Sequence, residues 1–261
     1  DWLAVDFREN GWNVKRLMKQ IVMSATYRQS AIISKEKLKA DPDNIYLSYA
    51  PRIRMPAELI RDMILESSGL LNKTIGGPSS KPYQPSGLWE MATSGRGQLA
   101  AYRQDHGELL YRRGIYNFIK RTVPPPAMMI FDASNRDQCE VKRTRTNTPL
   151  QALVMMNDPT VLEASAVLAY RLLNEPGDQQ KQVAEAFRRI ISRQAKTDEI
   201  KTLMEYYLER IEFFKNNQKL AAKTIHVGDY KIPGGTPEFQ IAALMQTIQV
   251  IYNLDEAITK T

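Results

Sequence analysis

The chain has 261 residues, 43% hydrophobic, 25% charged and 8% aromatic, with 36 Lys and Arg against 29 Asp and Glu for a formal net charge of +7. This is the make-up of an ordinary globular protein with a real core, in one large domain or two small ones. It lacks a run of about 18 apolar residues, which excludes a transmembrane helix. Its single cysteine, Cys139, excludes an internal disulfide and a C-x-x-C-H haem attachment. Cys139 reads as an inert buried residue, since a reactive thiolate needs a base or cation beside it. The two histidines, His106 and His226, lie too far apart for the usual His/Cys zinc site.

Trp2, Leu3, Val5 and Phe7 open a short helix that Gly11 stops. Asn13 then caps an amphipathic helix whose Val14, Leu17, Met18, Ile21, Val22 and Ala25 recur at helical spacing and are expected in the core. Residues 34–43 are charged and read as a surface loop, followed by the turn residues Asp41, Pro42, Asp43 and Asn44. Pro56 suits the first position of a second core helix through Leu59, Ile60, Met63, Ile64 and Leu65, ending near Gly69.

From 69 to 113, glycines and prolines interrupt the chain so often that no long helix survives. Trp89 anchors this irregular region as a hydrophobic plug; the competing reading is a platform for a sugar ring. Residues 115–119 are compatible both with a short strand and with a helix start. Pro124, Pro125 and Pro126 stiffen the chain and open a helix through Met128 to Phe131. Thr148 with Pro149, and Asp158 with Pro159, are two successive helix starts. After Gly177 come an amphipathic helix with Val183, Phe187, Ile190 and Ile191, and another from Thr197 with Ile200, Leu203, Met204, Tyr207, Leu208, Ile211 and Phe214 on one face. Residues 215–237 read as a polar linker with a small hairpin, and 239–258 as the last helix. The fold class is mainly α, a single irregular helical domain with long ordered Pro/Gly-rich loops and at most a small β element.

Residues 120–159 stand apart from the helical text on either side. Between 111 and 146 eight basic residues face three acidic ones, a surplus of five. The candidate ligand-binding side chains are Arg112, Arg113, Arg121, Asp132, Arg136, Arg143, Arg145, Asn147, Gln151 and Asn157. The same residues are equally suited to a buried network that locks the loop shut, because an ordered loop has many backbone groups to satisfy. The balance favours the lock. No P-loop, G-x-S-x-G, G-x-G-x-x-G or internal repeat is present, so the sequence assigns no catalytic residue, no metal ligand and no cofactor to this chain.

The string Lys120-Arg121-Thr122, the triple proline, Phe131-Asp132 with Arg136 and Cys139, then Arg143 through Leu153 and Asn157-Asp158-Pro159, resembles the PSD1 (DUF1553) family. Upstream, Asp1-Trp2-Leu3-Ala4, Ser24 to Gln29, Ile60-Arg61-Asp62, Gly76-Gly77-Pro78 and Tyr111-Arg112-Arg113 fit as well. Downstream the fit is weaker, carried by Ala186-Phe187-Arg188 and Asn253 to Glu256. The resemblance implies the C-terminal part of an exported bacterial multidomain protein, with a DUF1549 domain and often a cytochrome c-type domain upstream. Any haem c would sit there, and the location would be periplasmic or at the cell surface. The chain opens at Asp1 inside helix-like sequence and is read as a fragment.

Two functional expectations follow. The first is a non-catalytic interaction or scaffold domain whose partners are the other domains of its parent protein. The second is an enzyme or binder of anionic, sulfated polysaccharide, resting on the basic surplus, Trp89 and the carboxylates Glu90, Asp105 and Asp132. Nucleic acid is not an expected partner, since the pI of about 9.3 stands without a recognition motif.

Overall fold

A computed structural model describes residues 1–97, 99–134 and 136–260. The chain is mainly helical and divides into two units, 1–54 with the last residues from 259, and 55–258.

In the first unit, α1 (Trp2–Glu9) and α2 (Val14–Met23) are joined by a turn through Gly11, whose φ of 67° lies in the left-handed region. The Asn13 side chain accepts the Arg16 N–H at 3.0 Å, the expected cap of α2. Arg16 also donates to Asp6 at 2.5 and 3.0 Å, and this hydrogen bond holds the Asp6 carboxyl below its ordinary range. The apolar stripe of α2, expected in the core, is exposed instead, with Val14 at 57% and Met18 at 53%. Among the described residues, none of the three helices of this unit holds a buried residue.

Residues 34–43 are not wholly loop either. Ser34 caps a short α3 (Lys35–Ala40), and the buried Asp41 behind it accepts the N–H groups of Ile45 and Tyr46 and the Ser48 hydroxyl. A two-residue antiparallel ladder pairs β1 (Ile53–Arg54) with β2 (Thr259–Lys260).

The second unit is built around its last long helix. α4 (Ala57–Ser68) ends at Gly69 in the left-handed region, and its Ile60, Ile64 and Leu65 are buried. Short helices α5 (Leu88–Thr93) and α6 (Pro126–Ile130) punctuate the irregular middle. Then come α7 (Pro149–Asn157), α8 (Pro159–Leu173), α9 (Gln179–Ile191), α10 (Thr197–Asn216), α11 (Gln218–Ile225), α12 (Glu238–Tyr252) and the single turn α13 (Asp255–Ile258).

Ile241 to Met245, Thr247, Ile248, Ile251 and Tyr252 bury nearly every face of α12, which α8, α9, α10 and α11 surround. A helix apolar on all sides belongs in the middle of a bundle. Tyr252 closes its end by sharing a 2.7 Å hydrogen bond with Ser67 of α4.

Two expectations fail here. Residues 215–237 hold α11 rather than a hairpin, because Ala221 and Ile225 lie one turn apart and both bury against the bundle. The final helix breaks at Asn253, whose N–H turns back to the Gln249 and Val250 carbonyls, so 239–258 is two helices. The open choice for 115–119 resolves as a 3-10 turn over Gly114–Tyr116, after which Asn117 bridges to Ser80. Among the described residues no helix is long and apolar enough to cross a membrane.

Arg193, just past α9, clips the end of the bundle. It donates to Glu199 at the start of α10 and to Glu256 in α13, at 2.7 and 2.5 Å. The Arg193 hydrogen bond first, then the Lys196 N–H, draws the Glu199 pKa from 4.5 down to about 2. A folded-state pKa lying below the unfolded one gives stability that is full above about pH 4.5 and fades as the pH falls toward 2. Both partners are about one-third exposed, so solvent screening limits the clip to about 1 kcal/mol. We expect Arg193→Met to lower the melting temperature by about 2–4 °C at pH 7. Scanning calorimetry should show that gap closing by pH 2.5; a gap independent of pH would contradict the assignment.

Candidate functional site

The second unit holds a cavity of about 460 Å³. Its walls come from one face of α4, the loop at 82–85, Asn117, the stretch from Pro125 through α6, and the junction of α7 with α8. Twelve of its residues belong to the 120–159 stretch that stands out in the sequence, among them Pro125, Pro126, Met128, Phe131, Val154 and Pro159. The lining is overwhelmingly apolar, as in sites that bind small organic groups.

The α7–α8 junction makes the space. Asp158 ends one helix and starts the next. Its N–H reaches the Val154 carbonyl at 2.8 Å, while its carboxylate accepts the Thr160 N–H at 2.8 Å. Pro159 cannot donate into α7, so the helix stops and the chain turns at an extended residue, φ −64° and ψ 130°. Thr148 occupies the expected cap position of α7, although its side chain makes no capping bond.

Arg61 crosses the cavity wall from α4. One guanidinium nitrogen donates to the Leu110 carbonyl at 2.7 Å and the other to the Thr160 hydroxyl at 3.3 Å, while Nε is buried without a partner. Burial pulls its pKa down and the carboxylates of Asp158 and Asp62 push it back up. An arginine stays charged under these conditions. Asp62 in turn accepts the Gly114 N–H at 2.6 Å, and burial raises its pKa. A side chain at 114 would put its Cβ 2.8 Å from the Glu58 backbone, so only glycine allows this approach.

Behind the wall lies a buried carboxylate, Glu163 of α8, at 1% exposure. Its Oε1 accepts the Tyr111 hydroxyl at 2.8 Å and the N–H groups of Asp229 and Tyr230 at 2.6 and 2.7 Å; its Oε2 accepts the Tyr83 hydroxyl at 3.0 Å. Burial, then the negative charge beside them, raises the pKa of both tyrosines, so they remain donors. The network fastens the loop before α12, and His106 with the Gly107 N–H grips the Asp229 carboxylate from the other side at 2.9 and 2.8 Å.

The sequence-nominated residues divide. Arg112, 2% exposed, donates to the carbonyls of Pro78, Gly76 and Thr74 and lies 3.9 Å over the Tyr116 ring, which spends it on holding the 74–78 loop. Arg143 pairs with both Glu58 oxygens at 3.0 and 2.8 Å. Asp132, at φ 58°, accepts the N–H and hydroxyl of Thr146, and Gln151 donates to Ile130 and Thr146. Asp132, Arg143 and Gln151 thus close the central loop on itself or on α4.

Arg113 is partly buried beside Asp62, and Arg121, Arg136, Arg145 and Asn147 are exposed. Asn157 alone of the nominated set lines the cavity. The structure does not gather these residues into one site. Cys139, expected buried, is exposed. Trp89 is the expected plug: 2% exposed, edge-on to Tyr102 at 5.0 Å and covered by the Lys120 ammonium at 4.3 Å, it offers no face to a sugar.

Arg61, Tyr83, Asn117 and Glu163 were not nominated as site residues. The usable signal was charge within an apolar helical run, the Arg61-Asp62 pair among Leu59, Ile60, Met63 and Ile64, and Glu163 among Val161, Leu162 and Ala164. Removing the carboxylate strands the Tyr230 N–H and two hydroxyls, while the Asp229 N–H keeps the Tyr83 oxygen at 2.6 Å. Glu163→Ala should therefore cost roughly 3–5 kcal/mol in urea unfolding, and Glu163→Gln, which keeps one acceptor, roughly 1–2 kcal/mol. Losses within about 0.5 kcal/mol of zero for both would show that the loop is held by other means.

The model of the PSD1 family, a protein family of unknown function (DUF1553), matches residues 1–207, and the chain belongs to that family. No curated protein and no solved structure matches it.

Proposed function

We propose that this chain is a non-catalytic interaction domain of an exported multidomain protein and that it recognises its partner through the apolar cavity. The observation that carries the reading is the use made of the 120–159 stretch. Its apolar side chains line the cavity, while Asp132, Arg143 and Gln151 are committed to holding the stretch in place. The acids nearest the cavity also have structural employment: Asp158 caps α8, Asp62 holds the Gly114 N–H, and Glu163 holds the 229–230 backbone. A general acid or base needs a free proton-transfer position within hydrogen-bond reach of a substrate. The natural partners on this reading are the other domains of the parent protein.

The polysaccharide reading has less support. Trp89 is covered, Arg112 is buried, and Arg143 is neutralised by Glu58. Exposed Arg121, Arg136 and Arg145 remain its basis.

Thermal shift separates the two. At ten times its dissociation constant, a small apolar probe such as toluene or indole should add about 1.4 kcal/mol and raise the melting temperature by about 3–6 °C, equally at low and high salt. Sulfated oligosaccharides should leave it unchanged. A sulfated-glycan shift that fades in salt and disappears in an Arg121→Ala, Arg145→Ala variant would overturn the proposal, as would glycan turnover by the domain.

A further inference from the structure

The first unit leaves a helix face open to solvent. Val14, Met18 and Val22 of α2 recur every four residues and are 57%, 53% and 42% exposed, with Ile21 beside them at 41%. At about 100° of turn per residue the four share one side of the helix. Lys15 and Lys19 fall at the edge of that side, next to Val22, and both are exposed. The opposite side is the one the unit itself uses: Arg16, Leu17 and Gln20 are half-buried, and Arg16 is held by Asp6 at 2.5 and 3.0 Å. Trp12, in the turn that leads into α2, touches Phe7 edge-on at 5.3 Å and is still 65% exposed.

Charge says what kind of surface covers this face. α2 carries three basic residues and no acidic one, and residues 1–54 hold ten basic against six acidic side chains, four of the net seven positive charges of the chain. Protein interfaces are depleted in lysine. A helix lying on a bilayer uses lysine instead, because the aliphatic stem rests on the acyl boundary while the ammonium reaches the lipid phosphates. Indole rings favour the same water–lipid boundary. At ten residues α2 is too short to span a bilayer but long enough to lie on one.

We propose that α2 is a membrane-surface anchor that docks on an anionic bilayer, with Val14, Met18, Ile21 and Val22 among the acyl chains and Lys15 and Lys19 on the headgroup phosphates. One short helix of this kind gives a reversible attachment. The proposal uses the first unit alone and goes beyond the cavity reading.

The test is co-sedimentation of the full chain with vesicles of phosphatidylcholine, alone or with about one-third phosphatidylglycerol. At about 0.05 M salt the anionic vesicles should bind at least about ten-fold more strongly than the neutral ones, and the difference should fade by about 0.5 M. The Lys15→Gln, Lys19→Gln pair should weaken anionic binding about thirty-fold. Met18→Ser with Val22→Ser should weaken it about ten-fold. All four side chains are exposed, so the melting temperature should stay within about 2 °C, which separates lost binding from lost fold. Should the serine pair not fold, the lysine pair carries the test.

No binding to anionic vesicles would overturn the proposal and leave the face to a polypeptide partner. Binding that both double variants retain would put the lipid contact elsewhere on the chain and overturn it as well. So would a dimer, detected by analytical ultracentrifugation, that Met18→Ser with Val22→Ser dissociates, since the face would then belong to a second copy.

Discussion

The second unit depends on one constraint, the missing N–H of Pro159 beside the capping carboxylate of Asp158. Proline cannot continue α7, and Asp158 rewards a restart by accepting the Thr160 N–H. The chain therefore turns between two helices without a loop. α8 is free to lie along the buried α12, while α7 departs from it and leaves space in the crook. α4 and the proline-stiffened α6 close that space from the other sides. A continuous helix through 149–173 would leave no crook for them to close.

Buried charge is what keeps the surrounding loops in one conformation. Glu163 gathers donors from three separate segments, two tyrosines and the backbone at 229–230, and Gly228 makes room for it. Gly228 sits at φ 87°, and a Cβ there would lie 2.4 Å from the Glu163 carboxyl carbon. Arg112 does the same for the 74–78 loop by donating to backbone carbonyls, a task for which a planar guanidinium is well shaped. Loops that would otherwise have to satisfy their backbone groups with water are ordered by these few side chains. Each is costly to remove, because every partner it strands pays a desolvation penalty.

Around the cavity the polar groups are sparse and mostly occupied, and that sparseness is what supports the proposed binding role. Asp158, Asp62 and Glu163 spend carboxylate oxygens on backbone N–H groups of the fold. An apolar enclosure, by contrast, gains free energy from any apolar group that leaves water to fill it.

Much of the helical framework was legible from periodicity and punctuation. The Asn13 cap, the Gly69 stop, the proline start of α6, the Asp158–Pro159 restart and the apolar faces of α9 and α10 are local properties, and local sterics and hydrogen bonding decide them. The sequence could also say that Trp89 is a plug and that the basic residues between 111 and 146 were as suited to a lock as to a site. It could not say which basic residue would do which, because Arg112 and Arg145 carry the same chemistry and differ only in whether a loop folds over them. Nor could it set the fate of the α2 stripe, whose spacing is that of a core helix though most of it is exposed. The helix α11 was missed because its apolar residues, Leu220 to Ala222 and Ile225, form one short run between polar stretches. The cavity itself has no local signature: Arg61, Gln84, Asn117 and Asp158 are scattered over nearly a hundred positions, and only the packing of α4, α6, α7 and α8 brings them to one wall.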